Sequence, residues 1–73
     1  MRSPKPTPLD KKFGRFLRKQ RGKMTFAEFS KRTGLMPSNL FRLENGQQSI
    51  TLKKLHQVLK RLECSVTDVF GGK

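Results

Sequence analysis

The stretch "MTFAEFSKRTGLMPSNLFRLENG", Met24–Gly46, decides how this chain folds. Thr25 followed by Glu28 three residues later has the form of a capping box, in which hydroxyl and carboxylate each satisfy a free backbone N–H at a helix start. Met24 before the cap and Phe29 after it are placed for a hydrophobic staple. A helix from Phe26 to about Thr33 follows, burying Ala27, Phe29 and Phe26. Gly34 supplies the left-handed residue of a sharp turn, and Leu35 drops back toward the core. Pro37 suits a first helical position, where no N–H bond is lost, and Gly46 suits the position past a helix end. A second helix therefore runs from Pro37 to about Asn45. Leu40 and Leu43 point inward, so Ser38, Phe41, Arg42 and Asn45 point outward.

Two helices joined by a short glycine-containing turn are the sequence form of a helix-turn-helix, here about residues 25–45. Upstream, Leu9, Phe13, Phe16, Leu17 and Gln20 recur at helical spacing, with Asp10 as cap and Gly22 as stop. Downstream, "GQQSI" is a polar connection. Thr51 caps a further helix, with Ile50 and Leu55 as its staple and Leu52, Leu55, Val58, Leu59 and Leu62 as its apolar stripe. Lys53, Lys54, Lys60 and Arg61 lie outside that stripe. Ser65, with Asp68 at the box position, caps a last short helix carrying Val66, Val69 and Phe70. The sum is an all-α chain of five short helices.

Residues 1–8, "MRSPKPTP", contain three prolines and the basic Arg2 and Lys5. They read as a flexible basic arm before a domain spanning 9–71. Such an arm is either a plain disordered terminus or a segment laid along a DNA groove.

Charge is the strongest global signal. Seventeen Lys and Arg against five Asp and Glu give a net charge of +12, and eleven of the seventeen fall within residues 1–32. A polyanionic partner follows, nucleic acid before an anionic membrane surface. At 73 residues the chain suits one small domain, and a deep catalytic pocket is not expected. Cys64 and His56 are each the only residue of their kind, which leaves no internal disulfide and no metal site by spacing. A buried, inert thiol is the expectation for Cys64. No apolar run approaches membrane-spanning length and no signal peptide follows the basic start, so a cytoplasmic protein is expected.

Residues 13–70 resemble the Cro/C1-type helix-turn-helix family, also called the xenobiotic-response-element family. The resemblance is carried by "LRKQRG", "KRTGL", "FRLENG" and the tail "TLKKL…SVTDVF", in that order. It implies a five-helix, lambda-repressor-like DNA-binding domain whose recognition helix, here Pro37–Asn45, enters the major groove. It also implies base-reading positions at Met36, Pro37, Ser38, Asn39, Phe41 and Arg42, and a structural ion pair between Arg18 and Glu44. Four residues depart from the family pattern. Phe26 stands where a phosphate-contacting Gln is usual, leaving backbone N–H groups at that helix start to serve. Met36 replaces the usual Ser or Thr cap, Glu63 replaces a glycine, and Lys23 is an insertion.

Within that frame, Arg42 is the leading base reader, because its planar fork matches guanine O6 and N7. Asn39 can pair with adenine, and Phe41 can touch a thymine methyl or lean sideways onto the core. Lys23, Thr25, Phe26, Asn45, Gln47 and Gln48 are expected at phosphates, which position the protein without reading sequence. Val66, Val69 and Phe70 are expected at a two-fold dimer contact.

The expected function is a transcriptional regulator, a repressor or autoregulator, without enzymatic activity or cofactor. It binds a pseudo-palindromic double-stranded DNA operator as a homodimer, with half-sites about 34–36 Å apart. The resemblance places it in a bacterial or phage-encoded, nucleoid-associated setting, with room for a protein partner such as a toxin or a phage or host factor. The chain ends shortly after the fifth helix, so no sensor domain is expected. Two alternatives stay open: an antitoxin or adaptor using the fold for protein contact, and a non-specific nucleic-acid binder driven by charge.

Overall fold

The computed structural model of the chain describes residues 7–71. Five helices follow one another: α1 Pro8–Arg21, α2 Phe26–Thr33, α3 Pro37–Glu44, α4 Leu52–Leu62 and α5 Val66–Phe70. No strand occurs among the described residues. Helix α1 packs on α3 and α5, and α2 packs on α3 and α4. Phe13, Leu17, Phe29, Leu40, Leu43 and Val58 are fully buried where these helices meet. Phe16, Leu35, Leu55, Leu59, Leu62 and Val69 complete the core.

The start of α1 differs from the expectation. Thr7, not Asp10, is the N-cap, and Pro8 takes the first helical position. Asp10 is the acidic partner of a capping box: its carboxylate accepts the Thr7 N–H at 2.7 Å, while its own N–H donates to the Thr7 hydroxyl at 3.3 Å. Thr7 and Pro8, counted with the arm from sequence, thus belong to the helix start. Arg2 and Lys5 lie outside the described residues. The Asp10 carboxylate also accepts the Ser49 hydroxyl at 2.9 Å, tying the start of α1 to the loop after α3.

The turn between α2 and α3 is wired by side chains. Gly34 has φ 82°, a left-handed conformation that costs glycine little, and its N–H donates to the Ser30 carbonyl at 2.8 Å. The buried Thr33 hydroxyl donates to the Phe29 carbonyl at 3.0 Å and accepts the Leu35 N–H at 3.1 Å. The Ser30 hydroxyl donates to the Leu35 carbonyl. These bonds set the angle at which α3 leaves α2.

A second close approach sits between α1 and α3. Gly14 is buried, and a methyl group there would run into the Leu43 carbonyl oxygen and come within 3.0 Å of the Glu44 carbonyl oxygen. The end of α3 therefore rests directly on the backbone of α1.

Some apolar positions expected inside are outside. Ala27 and Leu9 are exposed. Leu52 is 83% exposed, because it precedes by one turn the Leu55 at which the buried stripe of α4 begins. Cys64 is half-buried, and burial first, then the Asp68 carboxylate, pushes its thiol above its ordinary value. Among the described residues no three His, Cys, Asp or Glu gather as a metal site, and no helix is long and apolar enough to cross a membrane.

Candidate nucleic-acid interface

Helix α3 is held by its far end. Glu44, its last residue, has a side chain only 1% exposed. Arg21, the last residue of α1, donates to it twice, from Nε at 2.7 Å and from Nη2 at 3.1 Å. The pair expected from the resemblance, Arg18 with Glu44, is only a peripheral contact at 3.7 Å with Arg18 mostly exposed. Arg21 lies one helical turn further along the same face, and its side chain reaches Glu44 in the bidentate position. Its hydrogen bonds to Glu44, and secondarily the charge of that carboxylate, raise the Arg21 guanidinium above its ordinary value.

The same guanidinium organises the start of α2. Its Nη1 donates to the Met24 carbonyl at 2.9 Å, and its central carbon lies 4.2 Å from the centre of the Phe26 ring. Phe26 in turn meets Phe41 of α3 edge to face, centroids 5.9 Å apart and planes at 74°. A continuous path of contacts therefore runs Glu44, Arg21, Phe26, Phe41, from one end of α3 back to its middle. Phe26, expected at a phosphate, is thus turned inward between the Arg21 guanidinium and the Phe41 ring.

The outward side of α3 presents Met36, Pro37, Ser38, Phe41 and Arg42, all exposed. Asn39 is half-buried and turns toward a cleft of about 210 Å³ shared with Gln48, Ser49 and Lys54. Asn45 donates its side-chain N–H to the Phe41 carbonyl at 2.8 Å, a second bond to an oxygen that already accepts the Asn45 backbone N–H at 3.2 Å. Met36 makes no side-chain cap, so the N–H groups of Ser38 and Asn39 are left without a side-chain acceptor. At the start of α2, Thr25 and Glu28 close their capping box at 2.9 and 3.1 Å, and Lys23 projects beside it, exposed. Gln47 is exposed and Gln48 half-buried on the other flank.

The charge left on the surface is one-sided, because most acids are engaged within the fold. Asp10, Glu28 and Asp68 accept backbone N–H groups at three helix starts, and Glu44 is buried against Arg21. Among the described residues the only ion pairs are those of Arg18 and Arg21 with Glu44. Arg42, Lys23, Lys53 and Lys54 remain uncompensated around α3.

The three residues expected at a dimer contact are placed differently from one another. Val69 is buried in the core, Phe70 is half-buried, and Val66 is 56% exposed. A surface groove of about 820 Å³ is lined by both α5 and α1, with Phe16, Val69 and Phe70 among its apolar residues and Lys12, Arg15 and Lys19 among its basic ones.

A helix-turn-helix whose second helix turns Ser38, Phe41 and Arg42 outward, with exposed cations at the neighbouring helix starts, has the geometry of a DNA-binding domain. Comparison with known families gives the same class. Residues 17–71 match the Cro/C1-type HTH DNA-binding domain, and the chain belongs to that family. Among solved structures it is similar to ClgR, the clp gene regulator of Corynebacterium glutamicum, at 30% identity and a TM-score of 0.72, over 93% of this chain and 88% of that one. It is also similar in fold to the restriction-modification controller protein C.AhdI from Aeromonas hydrophila, at 24% identity and a TM-score of 0.70, over 84% and 96%. The fold recurs inside hydroxypropylphosphonic acid epoxidase from S. wedmorenis, at 23% identity and a TM-score of 0.68, over 92% of this chain but 35% of that one. A comparison with curated protein sequences returned no match. The chain is a DNA-binding domain of the transcription-regulator class.

Proposed function

We propose that the protein is a sequence-specific regulator, a repressor of its own promoter, that binds a pseudo-palindromic operator as a homodimer and performs no catalysis. The observation that carries this reading is the exposed face of α3 beside unpaired cations at the start of α2 and α4. Arg42 reads a base, with Ser38, Asn39, Phe41 and Pro37 beside it in the major groove. Lys23, the α2 backbone at Thr25 and Phe26, Gln47 and Gln48 hold phosphates, and Asn45 supports them from the helix end. Arg2 and Lys5 extend the contact along a groove. The likeness to the clp gene regulator and to a restriction-modification controller protein supports regulation of a promoter over other uses of the fold.

Dimerisation is assigned to α5. The exposed Val66 and the edge of Phe70 supply the apolar contact, while Val69 supports them from inside. One recognition helix reads only a short half-site, so the dimer is needed for selectivity. The exposed Met36 and Phe41 favour a second reading, an adaptor that uses α3 to hold a protein. Footprinting on the DNA upstream of the protein's own gene separates the two. Two protected half-sites about one helical turn apart are expected; absence of protection above that on random DNA overturns the regulator reading.

A further inference from the structure

Phe41 is 52% exposed, and its position is set by a neighbour that has no polar role. Phe26 abuts it edge to face at 5.9 Å and is itself covered by the Arg21 guanidinium at 4.2 Å, which is anchored on buried Glu44. An aromatic ring fixed from behind and open in front is a rigid apolar contact, with no donor or acceptor to offer a base edge. Met36 and Pro37, also exposed and apolar, are the N-cap and first residue of the same helix. In the major groove the apolar feature of a base edge is the C5-methyl group of a pyrimidine.

Resting on the reading of α3 as the recognition helix, we propose that Phe41 is the specificity-determining contact for a pyrimidine C5-methyl group in each half-site. Phe26 is its positioning residue. The ring senses the methyl rather than the base that bears it. Thymine and 5-methylcytosine are therefore both favoured over their unmethylated counterparts, and the methylation state of an operator cytosine at that position changes occupancy.

The test uses the full chain and duplexes enriched by it from a random library. Thymines of the enriched site are replaced one at a time by deoxyuridine. At the Phe41 position cytosine and 5-methylcytosine are then compared. The methyl group is expected to strengthen binding at one position per half-site by roughly fourfold in both comparisons, the scale of one buried methyl group. With Phe41→Ala that ratio should fall to about one, while the salt dependence set by phosphate contacts stays unchanged. Phe26→Leu should lower the ratio and Phe26→Tyr, which keeps the ring, should retain it, both with the wild-type salt dependence. A flat uridine response in the wild-type protein overturns the inference, whether or not the variants fold. So does a methyl ratio that survives Phe41→Ala. Failure to enrich any sequence overturns the regulator reading and this inference together; enrichment without a methyl effect overturns the inference alone.

Discussion

Arg21 closes on Glu44 through two hydrogen bonds of 2.7 and 3.1 Å, so the last residue of α1 holds the last residue of α3. The Glu44 carboxylate is almost wholly removed from water, and its charge needs that partner. Arg21→Ala should cost about 2–3 kcal/mol in denaturant unfolding, somewhat below the 3–5 kcal/mol typical of a fully buried pair because Arg21 itself is partly exposed. Arg18→Ala should cost no more than about 0.5 kcal/mol, as exposed ion pairs do. Equal losses in the two variants would contradict the assignment of the anchoring role to Arg21.

Gly14 reverses a familiar rule. Replacing a helix-interior glycine by alanine usually adds about 0.5–1 kcal/mol of stability. Here the added methyl meets the carbonyl oxygens of Leu43 and Glu44, backbone atoms that cannot swing aside. Gly14→Ala is expected to lower stability by about 1–3 kcal/mol, the range of an overpacked core, and to displace the end of α3. Thermal unfolding by circular dichroism reads the sign directly.

Two helix ends carry removable strain or vacancy. Glu63 adopts φ 57° and ψ 41° at the end of α4, a left-handed conformation that favours glycine. Glu63→Gly should raise stability by about 1 kcal/mol, a gain of roughly 4–8 °C in Tm for a domain of this size. Met36 caps α3 without a side-chain hydrogen bond, and Met36→Ser should add about 1 kcal/mol. A Tm that fails to rise with Glu63→Gly would mean that the left-handed residue is not strained.

Acid sensitivity should trace in part to Asp10. The Thr7 N–H first, then the Ser49 and Thr7 hydroxyls, hold its carboxyl below its ordinary value of 3.8. A carboxyl depressed in the folded state contributes stability that is fully present above its unfolded value and lost as pH falls through the folded one. Asp10→Asn should therefore be less stable than wild type at neutral pH, and the gap should close in acid, below the ordinary carboxyl value. A gap that is constant with pH would remove Asp10 as the source.

The reading and positioning roles on the interface are separable by their salt behaviour. Arg42→Ala should relax preference at one base pair, at about 1–3 kcal/mol of lost discrimination. Lys23→Ala should weaken all sequences about equally and lower the salt slope by roughly one. Binding of both variants to intact and scrambled sites across a salt series distinguishes them; identical patterns would sink the assignment.

How much of this was legible in the chain varies by the range of the interaction. Helix limits were readable wherever a local device marked them: the Thr25–Glu28 box, Gly34, Pro37, and Thr51 are all used as read. The start of α1 is not where the sequence reading puts it: Asp10 is a cap former and reads as the cap, but Thr7 is the N-cap. The choice was settled by Pro8, which suits the position just inside a helix, and by the reciprocal bonds of the box. Arg18, expected to pair with Glu44, makes only the outer contact; Arg21 shares its helix face, and which of the two closes on the carboxylate depends on how α1 approaches α3.

The amino-acid sequence by itself determined five helices, their order, the glycine turn before a helix that starts at Pro37, and a large excess of positive charge. Those properties rest on interactions within a few residues of one another, or on none. Only the tertiary structure decided that Arg21 anchors Glu44, that Gly14 lets α3 rest on α1, that Thr33 wires the turn, and that Phe26 props Phe41. The Thr33 bonds are local, to residues four before and two after it; the other three join residues on different helices or depend on how two helices approach. Their strength depends on distances of a few ångströms that residue order alone does not set.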